Sequence, residues 1–349
     1  MGEHVTLVEY YKHHFPVETV VRMLEGLGPL DCMEIAIRGR TSNGKDFFRR
    51  YNSATDATTL RDLVGRPEIR EVHFGGFFEQ RVSREYCSEH PAVKKPLVID
   101  VDLQDFGPVQ RIGIQKEDLA KCDAFLSLVL LGIEVLKVAL EDAFGFKKFA
   151  CFYSGRRGAH IWVLDERAFG LSSEARSAIV DSLTATRGSI PLHSFPPYSR
   201  AVDRLMSGFG NLALLDDDAY ASSFVKRMKI KKLSFCDFEN EVIGREGAFE
   251  RWAHIQKRIK AGDVWMQDML RNLVVQDTWP PIDAAVSASA GHLTKAPFSV
   301  HASTGRIAVA LPTNAVEFDP ASCPSLQNLK GLQRSCAKVS VTSNFVDQW

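Results

Sequence analysis

Apolar and polar positions along the chain follow two periods. Helical spacing of apolar and aromatic side chains marks residues 5–26, 118–143 and 171–186. Strand-like runs bounded by turn-forming residues occupy 33–38, 45–51, 69–78 and 97–103. The pair 149–154 and 159–164 predicts a hairpin around Ser-Gly-Arg-Arg-Gly. Strands and helices are therefore interleaved over the first half of the chain.

The composition changes near residues 188–200. Pro and Ser cluster there in "GSIPLHSFPPYSR", and every element from this point to about residue 275 is predicted to be helical. The segment "TWPPID" ends the helical pattern, and strand-like sequence resumes as far as "GRIAVAL". We therefore predict an α+β fold. Its mixed α/β core consists of residues 1–187 and 279–349, with a helical subdomain inserted at 188–278.

The stretch "PLVIDVDLQDF", residues 96–106, places Asp100 and Asp102 in an otherwise apolar strand. Because strands alternate faces, both carboxylates lie on one face with their Cα atoms roughly 6–7 Å apart. Like charges at that separation repel each other, and partial burial makes each charge costlier. Either a basic side chain from a neighbouring strand or one or two divalent metal ions would relieve the repulsion, since hard cations take carboxylate oxygens.

A second unusual stretch is "YSGRRGAHIW", residues 153–162. Arg156 and Arg157 lie between glycines on the predicted hairpin turn, and Ser154 and His160 flank them. Glycines allow close backbone approach, and guanidinium groups match the geometry of phosphate oxygens. The turn is therefore either a solvated basic loop or an anion-binding site.

A third stretch, "GHLTKAPFSVHASTGRI", covers residues 291–307. Its polar side chains around a predicted turn are His292, Lys295, Ser299, His301 and Arg306. Just upstream, Asp283 follows two prolines, where an aspartate is usually a turn or cap residue. Beside phosphate-type donors it could instead be a third metal ligand. The three stretches together supply acidic ligands and a basic cradle, the inventory that phosphoryl and nucleotidyl transfer needs.

Charge and cysteine content narrow the class of protein. The chain has 43 basic and 43 acidic residues, so any site for a polyanion must be a local cluster. Its 7 cysteines are odd in number and form no Cys-x-x-Cys motif, which argues against a disulfide framework and for a reducing compartment. No run approaches the ~18 apolar residues of a membrane span.

Three ordered motifs, "IDVDLQDF", "YSGRRGAHIWVLDE" and "HLTKAPFSVHASTGRI", resemble the catalytic small subunit of archaeo-eukaryotic DNA primase. The resemblance covers most of the chain and includes "YYKHHFP", "FFRRYNS", "EDAFGFKKF", "RWAHIQKR" and "FDPASCPSL". It implies a mixed α/β catalytic core with a helical subdomain. It also implies that Asp100, Asp102 and Asp283 bind two divalent ions, Mg²⁺ or Mn²⁺.

The same resemblance implies a nucleotide site. The residues that would hold the triphosphate of the incoming nucleotide are Ser154, Arg156, Arg157 and His160, assisted by Lys295 and His301. Arg50, in "RRY", matches a basic family position near the nucleotides, and Glu34 aligns loosely with an acidic one.

One departure from the family concerns zinc. Family members usually carry a zinc-binding Cys/His cluster just after the Asp-x-Asp strand. Here the segment keeps only Cys122, with Ile112, Gly113 and Leu119 where further cysteines are expected. One thiolate cannot make a closed four-ligand site, and even if Cys87 and His90 joined Cys122 four ligands would still be lacking. We therefore expect no structural zinc and an apolar packing of this segment.

The function implied is that of a primase, a DNA-directed RNA polymerase that makes short RNA primers de novo on a single-stranded DNA template from ribonucleoside triphosphates. The implied partners are a primase large subunit and the replicative DNA polymerase alpha complex. A nuclear location is expected, with organelle or cytoplasm left open. "KRMKIKK", residues 226–232, is either an import signal or a solvated helix face.

Two other functions stay open. One is a primase-polymerase that acts in repair or damage tolerance. The other is an inactive scaffold that binds nucleic acid. The clustered like charges of Asp100 and Asp102 argue against the scaffold, which has no physical reason to keep them together.

Overall fold

The computed structural model describes residues 5–184, 196–228, 235–259 and 264–343. These residues form both helices and antiparallel strands, which confirms the predicted α+β class. The predicted boundary at 187/188 and residues 229–232 of the basic "KRMKIKK" segment lie outside the described residues. Among the helices that are described, none is long and apolar enough to cross a membrane.

The chain folds into two compact units. The first comprises the described residues within Met1–Asp100, Phe146–Asp181 and Asp283–Trp349. The second comprises those within Val101–Gly145 and Ser182–Ile282. The second unit therefore contains the long helix of residues 119–144 in addition to the helices after residue 195. The boundaries of an inserted subdomain at 188–278 stay a prediction.

The described strands form two sheets. In chain order the strands are β1 (Met33–Arg40), β2 (Asp46–Asn52), β3 (Ile69–Phe77), β4 (Leu97–Asp102), β5 (Phe149–Tyr153), β6 (Gly158–Val163) and β7 (Thr294–Lys295). One sheet has the order β2-β1-β3-β7 with every pair antiparallel, and the other has the order β4-β6-β5. β5 and β6 form the predicted antiparallel hairpin.

The helices match the predicted periodicity in most places. They are α1 (Leu7–Glu9), α2 (Val17–Leu24), α3 (Ala57–Val64), α4 (Arg84–Glu89), α5 (Gly107–Ile112), α6 (Leu119–Phe144), α7 (Glu166–Phe169), α8 (Ser173–Thr184), α9 (Ser199–Gly208), α10 (Asp218–Arg227), α11 (Phe235–Ile243), α12 (Ala248–Ile259), α13 (Val264–Thr278), α14 (Ala284–Ala288) and α15 (Leu332–Ser343). α6 begins at the Asp118 cap and ends at Gly145, which has a left-handed φ of 68°.

Two predicted elements are wrong. The expected single helix over 5–26 is divided, because a π-helical turn at Tyr10–His14 ends at Phe15 and Pro16 then precedes α2. Pro16 has no N–H to continue the helical ladder. After residue 280 the structure forms α14, with Asp283 as its N-cap, where strand-like sequence was expected to resume. Small Ala and Ser side chains at 284–288 do not favour a strand, and the aspartate cap favours a helix.

The second unit holds a buried carboxylate between its helices. Asp277 of α13 is 4% exposed and accepts a hydrogen bond from the Tyr220 hydroxyl of α10 at 2.5 Å. Arg227 of α10 binds the same carboxylate at 2.8 Å, and Arg111 of α5 binds it at 3.0 Å. These bonds compensate the burial of the charge and join three helices.

Candidate active site

Asp100 and Asp102 end strand β4, whose other side chains, at positions 97–99 and 101, are almost fully buried. The Asp100 Oδ1 atom lies 3.5 Å from the Nε2 atom of His160 on the adjacent strand β6. The Asp102 Oδ1 atom accepts a hydrogen bond from the Gln104 amide at 2.9 Å and so caps the short turn that follows the strand. A histidine of the neighbouring strand therefore lies beside Asp100, at the place where the sequence predicted either a basic side chain or a metal ion.

Asp283 lies beside the same strand. Its amide donates to the Asp100 carbonyl at 3.1 Å, and four residues later the Ser287 hydroxyl donates to the Val98 carbonyl at 2.7 Å. The Asp283 Oδ1 atom accepts from the Ala285 amide at 2.9 Å, which is the cap role that the two prolines suggested. The structure therefore brings Asp283 next to Asp100, although through a helix start and not through a paired strand.

The pKa of His292 depends on the charges of Asp100 and Asp283. Burial and the Lys95 ammonium lower the pKa of His292, whereas the carboxylates of Asp283 and Asp100 oppose that shift. A charge acts strongly only over a few ångströms in a partly buried site. Asp100, Asp283 and His292 therefore belong to one electrostatic cluster.

These aspartates have the right ligand atoms for a metal ion, but their side chains are not arranged around a common point. Hard carboxylate oxygens suit Mg²⁺ or Mn²⁺. Within the described residues, however, no group of three or more His, Cys, Asp or Glu side chains is arranged as a metal site. Asp102 and Asp283 each use their Oδ1 atom as a helix or turn cap. The donor set fits a hard divalent cation, and binding requires these side chains to turn toward it.

The arginine turn packs against the turn at residues 301–306. Gly155 has a φ of 92°, and a Cβ atom at this position would lie 2.9 Å from the His301 Cβ and 3.1 Å from the Arg306 carbonyl oxygen. The Thr304 hydroxyl donates to the Gly155 carbonyl at 2.8 Å. Glycine is therefore needed here because the two backbones approach closely and because the conformation is left-handed.

Hydrogen bonds within the hairpin fix the arginines. The Ser154 hydroxyl accepts from the Gly158 amide at 3.2 Å, so this predicted phosphate contact also closes the turn. The Tyr153 hydroxyl donates to the Arg156 carbonyl at 2.7 Å and accepts from Arg306 at 3.1 Å. The Tyr153 hydroxyl thus fixes the backbone that carries Arg156 and Arg157.

His301 and Lys295 share this cationic site. Burial lowers the pKa of His301 to about 4, and the charges of Lys295, Arg156 and Arg157 act in the same direction. Burial also lowers the pKa of Lys295, against the attraction of Glu71. Four of the residues predicted to hold a triphosphate therefore lie close enough to influence one another, and His301 is a neutral imidazole at pH 7.

The exposed Arg50 forms an ion pair with the buried Glu34. The Arg50 Nε and Nη2 atoms donate to the two Glu34 carboxylate oxygens at 2.7 and 2.9 Å, and Glu34 is 1% exposed. Arg50 also donates to the Gly291 carbonyl at 3.3 Å. Its charge contributes to the lowered pKa of His292. Arg50 is thus near the carboxylate cluster, but its guanidinium is already engaged by Glu34.

Two residues near the site carry no signal in the sequence. His73 lies opposite Lys295 in the β3–β7 pair, and its Nε2 atom is 3.4 Å from the Glu71 carboxylate. Lys95 is 2% exposed and lies two residues before β4. Only contacts between distant segments distinguish His73 and Lys95 from ordinary residues in or beside a strand. Ser299, which the sequence did group with the basic cluster, is fully buried and donates to the Val72 carbonyl.

The cysteines considered for zinc have apolar surroundings. Cys122 is fully buried in α6, and its thiol lies 3.7 Å from the Gln115 carbonyl oxygen. Cys87 packs in a small cluster with Phe78 and Val82. Burial raises the pKa of the Cys87 thiol, which favours the protonated form that does not bind metal.

Comparison with known proteins places the chain in a family. Residues 99–312, more than half of the chain, match the sequence model described as "DNA primase small subunit". The DNA primase small subunit of Schizosaccharomyces pombe is 27% identical over 93% of this chain and 76% of that protein. The corresponding Caenorhabditis elegans protein is 28% identical over 92% of this chain and 85% of its own length. The small subunit PriS of Archaeoglobus fulgidus is 24% identical over 74% of this chain and 66% of its length. The matched span contains both the β4 aspartates and the arginine turn, and the chain belongs to the DNA primase small subunit family.

Proposed function

We propose that this subunit synthesises short RNA primers de novo on single-stranded DNA by metal-dependent nucleotidyl transfer. The observation that carries the proposal is the 3.5 Å contact between Asp100 and His160. His160 follows Arg156 and Arg157 on the strand that begins at their turn, so one sheet connects the carboxylates with the cationic site. Nucleotidyl transfer needs both groups side by side.

The carboxylate end of the site would hold the metal. Asp100, Asp102 and Asp283 are the residues that would bind two Mg²⁺ or Mn²⁺ ions. When bound, such ions activate the attacking 3′-hydroxyl and neutralise charge on the leaving pyrophosphate. His160 contacts Asp100 and would orient this carboxylate as well as contact phosphate.

The cationic end of the site would hold the triphosphate. Arg156, Arg157 and Lys295 supply positive charge, and Ser154 supplies a short hydroxyl donor. His301, neutral because of its low pKa of about 4, donates a hydrogen bond without adding charge. Arg50 would contribute positive charge near the nucleotide, and its position is fixed by its pair with Glu34 and its hydrogen bond to the Gly291 carbonyl.

Two alternative functions remain candidates for the test. A primase-polymerase would use the same carboxylates and basic turn, but would prefer to extend a primer. An inactive scaffold would gain nothing from keeping like-charged carboxylates side by side. The Asp100–Asp283 neighbourhood therefore favours an enzyme over a scaffold.

The implied partners and location follow from the same proposal. The subunit would act on a single-stranded DNA template with ribonucleoside triphosphates. It would pair with a primase large subunit and deliver primers to the DNA polymerase alpha complex. The eukaryotic relatives at 27–28% identity support a nuclear location.

The deciding experiment is dinucleotide synthesis on a single-stranded template without primer, with Mg²⁺ and Mn²⁺ compared. Primase activity predicts a ribonucleotide dimer that carries a 5′-triphosphate and requires either metal. Extension of an added primer without any dimer would favour the primase-polymerase. Template binding without synthesis in either metal would favour the scaffold.

A further inference from the structure

Lys95 is a buried lysine directly before strand β4, and the proposed chemistry assigns it no role. Its side chain is 2% exposed. The Nζ atom donates to the His292 carbonyl at 2.6 Å and lies 3.5 Å from the Ser289 carbonyl. Both carbonyls belong to residues 289–292, which we call the 289–292 loop.

The segment that carries this loop is attached along β4 at three points. Its start is fixed by the Asp283 amide on the Asp100 carbonyl, and its middle by the Ser287 hydroxyl on the Val98 carbonyl. Lys95 fixes its end. The first two attachments are neutral hydrogen bonds, whereas the third is charge-assisted and therefore stronger.

The 289–292 loop touches the carboxylate end of the site. The Gly291 carbonyl accepts the hydrogen bond from Arg50 at 3.3 Å. The charges of Asp283 and Asp100 both act on the His292 imidazole, as does the Arg50 guanidinium. A displacement of this loop would therefore move Arg50 and His292 relative to the aspartates.

The surroundings of Lys95 make its charge expensive. Arg176 of α8 is also buried and donates to the Lys95 carbonyl at 2.6 Å, so two cations lie together. Burial and Arg176 lower the pKa of the Lys95 ammonium to about 7, and Glu34 of β1 only partly opposes this. His292 is the further titratable group facing it. An apolar side chain would fill this space without the desolvation penalty, so stability alone does not explain a lysine here.

We propose that Lys95 is a positioning residue for nucleotidyl transfer: its ammonium fixes the 289–292 loop and thereby places Arg50 and His292 beside Asp100 and Asp283. This role rests on the proposed primer synthesis. It assigns the buried lysine to the carboxylate end of the site and not to the triphosphate end.

The test compares Lys95→Met with Lys94→Met. Methionine keeps an unbranched apolar side chain but has no ammonium, and Lys94 is the exposed neighbour that serves as the matched control. Three quantities are measured on the full chain: hydrogen–deuterium exchange of residues 289–293, and both kcat and KM for dinucleotide synthesis. Lys95→Met should raise the exchange of the loop at least tenfold and lower kcat at least tenfold, with KM for nucleotide changed less than threefold. Lys94→Met should stay within twofold of the wild type in all three.

The outcomes separate this role from the proposed function. A folded Lys95→Met variant with unchanged loop exchange, or with wild-type kcat, overturns the proposal. So does a variant in which only KM rises. If the wild-type chain makes no dinucleotide, the proposed function fails, while loop exchange still decides whether Lys95 fixes the loop. If Lys95→Met does not fold, Lys95→Gln, a shorter polar side chain without the ammonium, takes its place in the same measurements. Wild-type loop exchange or wild-type kcat in that variant would overturn the proposal.

Discussion

At the scale of single residues, the charged groups of the site differ in the kind of partner they have. Glu34 and Arg50 satisfy each other through two short hydrogen bonds. Asp100 lies 3.5 Å from a histidine, and the Asp283 amide donates to the Asp100 carbonyl. Neighbouring carboxylates repel each other, and a hard divalent cation bound between them relieves that repulsion. The juxtaposition of like or of opposite charges thus separates the groups proposed for chemistry from a structural ion pair.

The first prediction concerns the β4 aspartates. Asp100→Asn and Asp102→Asn should each abolish primer synthesis, because an amide is a poor ligand for a hard cation. Thermal stability without metal should hold or rise, because the substitution removes like-charge repulsion on the strand. Synthesis and melting temperature are measured together. Asp105→Asn, an exposed change in the same stretch, is the control and should keep full activity. Near wild-type synthesis by either site variant would remove the metal assignment.

The second prediction concerns the arginine turn. Arg156→Ala and Arg157→Ala should each weaken nucleotide binding by about 1.5–3 kcal/mol, the value of a charge-assisted phosphate contact. That corresponds to a rise of roughly 10- to 150-fold in KM for the incoming nucleotide. Arg66→Ala removes an exposed arginine elsewhere in the first unit and should leave KM unchanged. If both turn variants also keep the wild-type KM, the turn is an ordinary solvated loop.

The third prediction is a pH dependence of stability from His301. Its folded pKa of about 4 lies below the ordinary value of 6.5, so the unfolded chain binds more protons between these two values. The free energy of unfolding should therefore fall as the pH drops from 6.5 toward 4. The full shift corresponds to about 3 kcal/mol, and because the side chain is only partly buried we expect about 1–2 kcal/mol. His301→Gln should lose this part of the slope. Denaturant unfolding at pH 7, 5.5 and 4.5 measures it, and equal slopes for both proteins would contradict the assignment.

At the scale of elements, the local sequence predicts the strands more accurately than the short helix that packs beside β4. The runs at 33–38, 45–51 and 69–78 correspond to β1, β2 and β3 within a few residues, because alternation and turn residues are local properties. The helix after Asp283 was missed because its 5 residues are too few to show a helical period, although small Ala and Ser side chains do not favour a strand. The choice depends on the cap and on the contact of this segment with β4.

The same distinction applies to the site. The motifs named Asp100, Asp283, Arg156 and His301, and the structure brings their segments into contact in two groups. Lys95 was not predictable, because its hydrogen bond to the His292 carbonyl crosses 197 residues of sequence. A lysine before an apolar strand looks like a polar flank until that partner is known. The sequence alone therefore does not predict the contacts between distant segments that hold the site residues in place.

The fourth prediction concerns the hairpin as an element. Gly155→Ala should strain the turn, because it imposes a side chain on a left-handed residue and places a Cβ atom 2.9 Å from the His301 Cβ. We expect a loss of about 1–3 kcal/mol in stability and a higher KM for nucleotide. Gly170→Ala is the control, since a Cβ atom there meets nothing within 4 Å. Equal melting temperatures and KM values for the two variants would show that the turn accommodates a side chain at residue 155 without loss of stability or nucleotide binding.

At the scale of the whole molecule, the charge balance constrains how DNA can bind. The chain has equal numbers of basic and acidic residues, so no overall field attracts a polyanion. The cations Arg156, Arg157 and Lys295 are the ones that we propose for the triphosphate. If they serve the nucleotide, we expect the template to be held by few phosphate contacts.

This leads to the last prediction, on salt. If about three template phosphates are neutralised, log Kd for single-stranded DNA should rise with log salt concentration with a slope of about 2. Fluorescence anisotropy of a labelled oligonucleotide between roughly 50 and 200 mM salt measures this slope. The Arg156→Ala/Arg157→Ala double variant should bind nucleotide poorly but keep the same slope, because we assign the two arginines that it lacks to the triphosphate and not to the template. A slope of about 5 or more in the wild type would reveal an extended basic surface. A slope that falls in the double variant would instead assign the arginine turn to the template strand, and the division of the site into a carboxylate end and a triphosphate end would have to be redrawn.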